Sequence, residues 1–365
     1  MRISVIIYRT LGLLWLVGLD TTVNGQDFRE LEVKTRTGSI SGLPISWGND
    51  QVLMLRSDGW LAEFPTREVV EHRITDRNFR PAQAEEMAKA LQAELGPSYR
   101  TAIAGPFLIV APGASLPVWS ERFLALYGGF QNYCATRQIT LRQPPFLMPA
   151  IVFRTREEFD TYSQRYGHPV TASTLGYYSL VTNRIALYEF SASENNSEFF
   201  PTASTLIHEA THQAAYNTGI HDRLAEQPLW TIEGLAMLFE APGVYDSGRF
   251  SQPESRINST RLMGFRQFFP DAQSVSDALP ILLTDDKYFE RDPDRAGLLH
   301  DRPPIGGGAL GRAGALEAVI VEPRHDAAGA GFVEIPRAGN PAFAAEHRAI
   351  VIIVQVELLL GDVDS

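Results

Sequence analysis

Residues 204–217 read Ser-Thr-Leu-Ile-His-Glu-Ala-Thr-His-Gln-Ala-Ala-Tyr-Asn, and this stretch constrains the fold more than any other. Pro201 before it and Gly219 after it are the boundary residues expected of a helix. On that helix His208 and His212 stand at i and i+4, so both imidazoles leave one face about one turn apart and can share a metal ion. Glu209 sits beside His208 and can reach a water on such a metal without being a ligand. The chain has one cysteine, Cys134, which excludes an internal disulfide framework and a cysteine-rich zinc site. Any metal must therefore be held by histidine and carboxylate.

The carboxylate has a candidate. Residues 228–240, Pro-Leu-Trp-Thr-Ile-Glu-Gly-Leu-Ala-Met-Leu-Phe-Glu, predict a second helix that opens at Pro228 and stops before Pro242-Gly243. Its Glu233 lies 21 positions beyond His212, enough chain for a loop and a turn back. Two histidines and one carboxylate leave the fourth zinc position to water, as in a catalytic site and unlike a closed structural one. A water held there ionises near neutral pH, and Glu209 can take its proton and later deliver it to a leaving amine.

HEATH at 208–212 followed by WTIEGLA at 230–236 resembles the gluzincin metallopeptidases, whose aminopeptidase branch has a similar Trp-x-x-Glu-Gly stretch bearing the glutamate ligand. It is still more similar to an uncharacterised group of exported bacterial gluzincin-like proteins. The specific likeness covers about residues 200–240, with looser agreement from about residue 80. The resemblance implies His208, His212 and Glu233 as ligands of Zn2+, Glu209 as the base, and zinc-dependent peptide-bond hydrolysis of a peptide or protein substrate. It also implies an α+β fold: a zincin-like mixed sheet with the active-site helix and a following helical part. A metzincin would need glycine at 215 and histidine at 218, where Ala215 and Thr218 stand. Gluzincins often use a Tyr or His to donate to the tetrahedral oxyanion; Tyr288, 55 positions past Glu233, is the candidate for that role. His221 competes with Glu233 as third ligand, and Glu240 shares a helix face with Glu233 as an outer or surface carboxylate. Tyr216, His168 and His72 are expected to be structural, and Cys134 a buried small apolar residue.

The rest of the chain gives the expected organisation. Residues 1–25 carry Arg2 and Arg9, the apolar run Leu11–Leu19, and small residues at Val23 and Gly25, the order of a secretory signal peptide. Elsewhere no run of 18 apolar residues is found, so a mature chain without a stable membrane span is expected outside the cytoplasm, secreted or in the periplasm or cell envelope. Residues 26–75 predict a small β module, since short apolar stretches at 31–34, 39–41, 51–55 and 60–64 are broken by Gly38, Gly48-Asn49-Asp50 and Asp58-Gly59. The resemblance then implies a gluzincin-like domain over residues 76–300. Within it, helices are expected at 81–95, at 118–137 with a break at Gly128-Gly129, and at 155–166. Strands are expected at 101–111, interrupted by Gly105-Pro106, and at 146–153. A hairpin over 177–190, turning at Val181-Thr182-Asn183, is placed to pair with extended substrate by analogy with zincins. Residues 301–365 are an atypical Ala/Gly-rich tail whose only aromatics are Phe332 and Phe343. The net charge of −11 lacks the basic footprint for phosphate backbones, so nucleic acid is not an expected partner. The competing function is a non-catalytic zinc-binding envelope or binding protein on a zincin scaffold.

Overall fold

The computed structural model describes residues 28–284 apart from 169, 173 and 190–199. The expected signal peptide, Tyr288 and the 301–365 tail lie outside the described residues. The described residues form a mixed α+β protein with two five-stranded sheets and eight α-helices. The chain divides at Gln227/Pro228 into two compact units.

The first sheet holds β1 (Arg29–Thr35), β2 (Ser39–Trp47), β3 (Gln51–Leu55), β4 (Leu61–Pro65) and β5 (Val69–Asn78), in the order β4-β3-β2-β1-β5. All its pairings are antiparallel. Leu31, Val33, Val52, Met54 and Phe64 form the buried cluster of this sheet. The sequence expectation missed β5, and burial explains why. Glu71, His72, Arg73 and Ile74 are all exposed, so neither face imposes the apolar alternation by which a strand is read. The strand forms by pairing with β1, reinforced by Arg73 on Glu32 at 2.6 Å and Arg77 on Glu30 at 2.9 Å. Those charges, and the shift in register between Arg29 and Leu31, make β5 an edge poorly suited to indiscriminate pairing.

The second sheet holds β6 (Tyr99–Ala104), β7 (Phe107–Pro112), β8 (Met148–Phe153), β9 (Gly176–Ser179) and β10 (Arg184–Tyr188), in the order β6-β7-β8-β10-β9. β7, β8 and β10 run parallel, while β6 and β9 are antiparallel edges. Every residue of the three parallel strands is buried, as continuous runs such as Phe-Leu-Ile-Val-Ala-Pro require when both faces are covered. Alternate side chains serve the two faces. Leu108, Val110, Ile151, Phe153, Ala186 and Tyr188 meet Met87 and Leu91 of α1 (Ala84–Leu95) and Phe159 and Tyr162 of α3 (Arg156–Arg165). Phe107 instead packs on Phe123 of α2 (Leu116–Thr136), with ring centroids 4.9 Å apart. Helix α4 (Phe200–Thr218) lies against β9 and β10.

Two local expectations are corrected. Gly105-Pro106 does not interrupt one strand: it is the two-residue turn of the β6–β7 hairpin, with Ala104 opposite Phe107 and Gly105 at φ 59°. Helix α2 runs unbroken through Gly128-Gly129, because Trp119, Phe123, Leu126, Tyr127, Phe130 and Cys134 bury one continuous face. That burial outweighs the roughly 1 kcal/mol per residue that glycine costs in a helix. Cys134 is buried as expected, and burial pushes its thiol up to about 12. At pH 8 a thiol-reactive dye should therefore label nothing in the native protein and one equivalent in denaturant. Stoichiometric labelling of the native chain would show that α2 opens readily.

The second unit contains α5 (Leu229–Phe239), the short α6 (Pro242–Tyr245), α7 (Ser259–Phe268) and α8 (Ala272–Thr284). Glu240, just after α5, is not a free surface carboxylate. Arg261 grips both its oxygens at 3.1 Å and Asn258, the N-cap of α7, donates to it at 2.9 Å. Glu240 thus fastens α7 to the end of α5.

Candidate metal centre

Helix α4 is buried on almost all sides, and its polar residues must therefore find partners inside the protein. Leu206, Ile207, Ala210, Ala214 and Ala215 supply the apolar contacts, and the small alanines let the helix sit close to the sheet. At Gly176 of β9 an added Cβ would lie 3.2 Å from the Thr205 methyl and 2.9 Å from the Leu187 side chain, so glycine is what admits the helix there. Thr211 and Thr218 donate back to the carbonyls of Ile207 and Ala214, each at 2.7 Å.

The remaining polar side chains make two rows of helical spacing. His208, His212 and Tyr216 form the first. The two imidazole Nε2 atoms lie 3.0 Å apart, with rings at 82° and centroids 4.6 Å apart. Each histidine is less than a tenth exposed. Glu233, on α5 and also buried, belongs to the same group: one donor atom from each of His208, His212 and Glu233 lies within 4.8 Å of the others. This buried His/His/Glu group could bind a metal ion. Tetrahedral bonds of about 2.0–2.1 Å would put two nitrogens about 3.3 Å apart, close to the spacing seen. His221 stays outside the group and packs against Tyr216, centroids 5.1 Å apart.

Glu209, Gln213 and Asn217 form the second row, facing the β9–β10 hairpin. Glu209 is 2% exposed, and its Oε2 accepts the backbone N–H of Tyr178 at 2.7 Å. Gln213 donates to the carbonyls of Asn183 at 2.7 Å and Pro149 at 3.0 Å. Asn217 and Asn183 form a reciprocal amide pair at 2.8 and 3.0 Å. Asn183 sits in the turn with φ 57°, a left-handed conformation that asparagine tolerates better than most residues. The Tyr178 phenol, which burial pushes up to about 12, stays protonated and donates to Asn183 Oδ1 at 2.8 Å. The turn is held from outside as well. The half-buried Arg223 donates to the Leu180 carbonyl at 3.0 Å and to the Gly59 carbonyl at 2.9 Å, and the Leu61 N–H donates to the Val181 carbonyl at 2.8 Å.

The expected structural histidines have structural contacts. His168 accepts or donates at 2.9 Å to Ser179, and burial lowers its pKa. His72 packs against Trp47 with the rings tilted, centroids 5.1 Å apart. Tyr216 packs against Tyr178. Sequence reasoning did not single out Tyr178, Asn183, Gln213 or Asn217. The last two were visible in principle, because 209, 213 and 217 repeat every fourth residue.

Replacing one donor should empty the site. His208→Ala or His212→Ala is expected to reduce bound metal in dialysed protein from about one equivalent to near zero, a larger loss than the roughly 10–100-fold cost of an outer contact. Retention of a full equivalent by either variant, measured by elemental analysis, would place the metal elsewhere.

Residues 202–296 match the family described as Protein of unknown function (DUF1570). No curated protein and no solved structure matches the chain.

Proposed function

We infer that the chain is a zinc-dependent peptidase of gluzincin type that acts outside the cytoplasm. The observation that carries this reading is the buried group of His208 and His212, one helical turn apart, with Glu233 of the next helix, beside a further buried carboxylate at Glu209. Two imidazoles and one carboxylate are a donor set suited to zinc with an open position. When bound, the ion would supply Lewis acidity and a water that ionises near neutral pH. Glu209 is the group that would accept that proton and return it to the leaving amine. A closed structural site has no use for such a carboxylate, which favours hydrolysis over a purely structural metal. The export reading rests on the Arg2–Gly25 sequence, and the β9 edge is the proposed rail for an extended substrate by analogy with zincins.

The test is to purify the full chain, measure its zinc content, and challenge it with a broad peptide library read by mass spectrometry. One zinc per chain with cleavage at peptide bonds, abolished by a chelator and restored by zinc, is the expected result. Zinc without any cleavage would favour the non-catalytic scaffold; absence of zinc would overturn the centre itself.

A further inference from the structure

The second polar row of α4 does more than satisfy a buried helix. Glu209 starts it, and the oxygen Oε2 of this carboxylate accepts the Tyr178 N–H on strand β9. Where that N–H stands depends on the register and seating of the β9–β10 hairpin. A slip by one residue would turn the Tyr178 side chain to the opposite face of the sheet, away from Asn183, and carry its N–H off Glu209. The hairpin is seated by the other two members of the row. Gln213 holds the Asn183 carbonyl, Asn217 pairs with the Asn183 side chain, and Asn217 is itself braced by donating to the Gln213 carbonyl at 2.8 Å. Tyr178 closes the loop, since its phenol reaches forward to the same Asn183 amide that Asn217 grips.

We propose that Gln213 and Asn217 are positioning residues for Glu209: they lock the β9–β10 turn onto α4 so that the Tyr178 N–H meets and orients the Glu209 carboxylate. The lock is internal to the first unit. Only its catalytic consequence rests on the peptidase reading. A plain structural role for the amide pair would lower stability when it is removed, but would not single out Tyr178 or change turnover at constant substrate affinity. A positioning role predicts both. Misplacing a catalytic group by about 1 Å can cost on the order of 10²-fold in rate.

The experiment uses the full chain labelled with 15N-tyrosine, in which Tyr178→Phe deletes one amide signal and so assigns it. Glu209→Gln should shift that signal upfield, because the charged acceptor is lost. Asn217→Ser should shift it in the same direction and speed its hydrogen exchange by about tenfold or more. Phe130→Leu, a core change in α2, serves as a control for destabilisation and should leave the signal in place. In zinc-loaded protein, Asn217→Ser should keep its metal and its KM while kcat falls by up to about 10²-fold. Should Asn217→Ser not fold, Tyr178→Phe is read instead in 15N-phenylalanine-labelled protein, where it deletes only the phenol bond to Asn183. An unmoved Tyr178 amide in Asn217→Ser overturns the proposal, as does a displaced amide with undiminished kcat. A wild type that cleaves no peptide while its Tyr178 amide responds to Asn217→Ser sinks the peptidase reading and leaves the lock on Glu209 established.

Discussion

Glu209→Gln is expected to retain one zinc per chain and to lose peptide hydrolysis by roughly 10²–10⁴-fold in kcat. The substitution is close to isosteric, and its amide oxygen can still accept the Tyr178 N–H that the carboxylate now accepts at 2.7 Å. The packing of α4 is therefore preserved. The candidate metal donors, His208, His212 and Glu233, are untouched. What disappears is basicity: a carboxamide cannot take a proton from water near neutral pH. The result thus separates binding from chemistry, provided that metal content and melting temperature are measured on the same sample. If Glu209→Gln kept more than about a tenth of wild-type turnover, Glu209 would not be the base. If it lost the metal as well, the carboxylate would be part of the coordination and the Glu233 assignment would need revision.

The histidine half of this candidate site was legible because its signal is local. His208 and His212 are one helical turn apart, and a helix bounded by proline and glycine fixes their common direction without knowledge of the rest of the fold. The partner of Glu209 was not legible. It is a backbone N–H on a strand 31 residues earlier in sequence, and any residue type at position 178 would supply it. Asn183 is a similar case. Its left-handed turn conformation is suggested by residue type, but its pairing with Asn217 depends on how closely α4 approaches the sheet, which glycine at 176 and a run of alanines decide together. The parallel core of the second sheet was easier, since fully buried strands read as apolar runs; β5 was missed because it has no buried face at all. Local patterns therefore pointed to the candidate donors, and tertiary contacts determine how they are oriented.

The largest effect on stability is expected at Arg184, on the sheet face away from α4. Its Nη1 lies 3.1 Å from each Glu94 oxygen and 3.1 Å from the Tyr162 hydroxyl, and the guanidinium covers the rings of Trp60 and Tyr166. Tyr166 donates to the same Glu94 at 2.6 Å. Burial opposes the charge on Arg184, yet the Tyr162 phenol and the Glu94 carboxylate more than offset it, so its pKa is raised. The side chains of Arg184 and Glu94 are only 10% and 14% exposed, so water screens the pair poorly. Arg184→Met removes the cation and leaves the carboxylate stranded among aromatics. That should cost about 3–5 kcal/mol, and at about 2–4 °C per kcal/mol the melting temperature should fall steeply. Adding Glu94→Leu should recover much of the loss, because a buried pair contributes little net stability beyond a well-packed apolar replacement. A single variant that lost less than about 1 kcal/mol would mean that Glu94 is solvated like a surface carboxylate. Metal content well below the transition should be unchanged in both variants, since β10 presents Arg184 and the α4-facing residues to opposite sides of the sheet; loss of metal there would reveal coupling between the two faces.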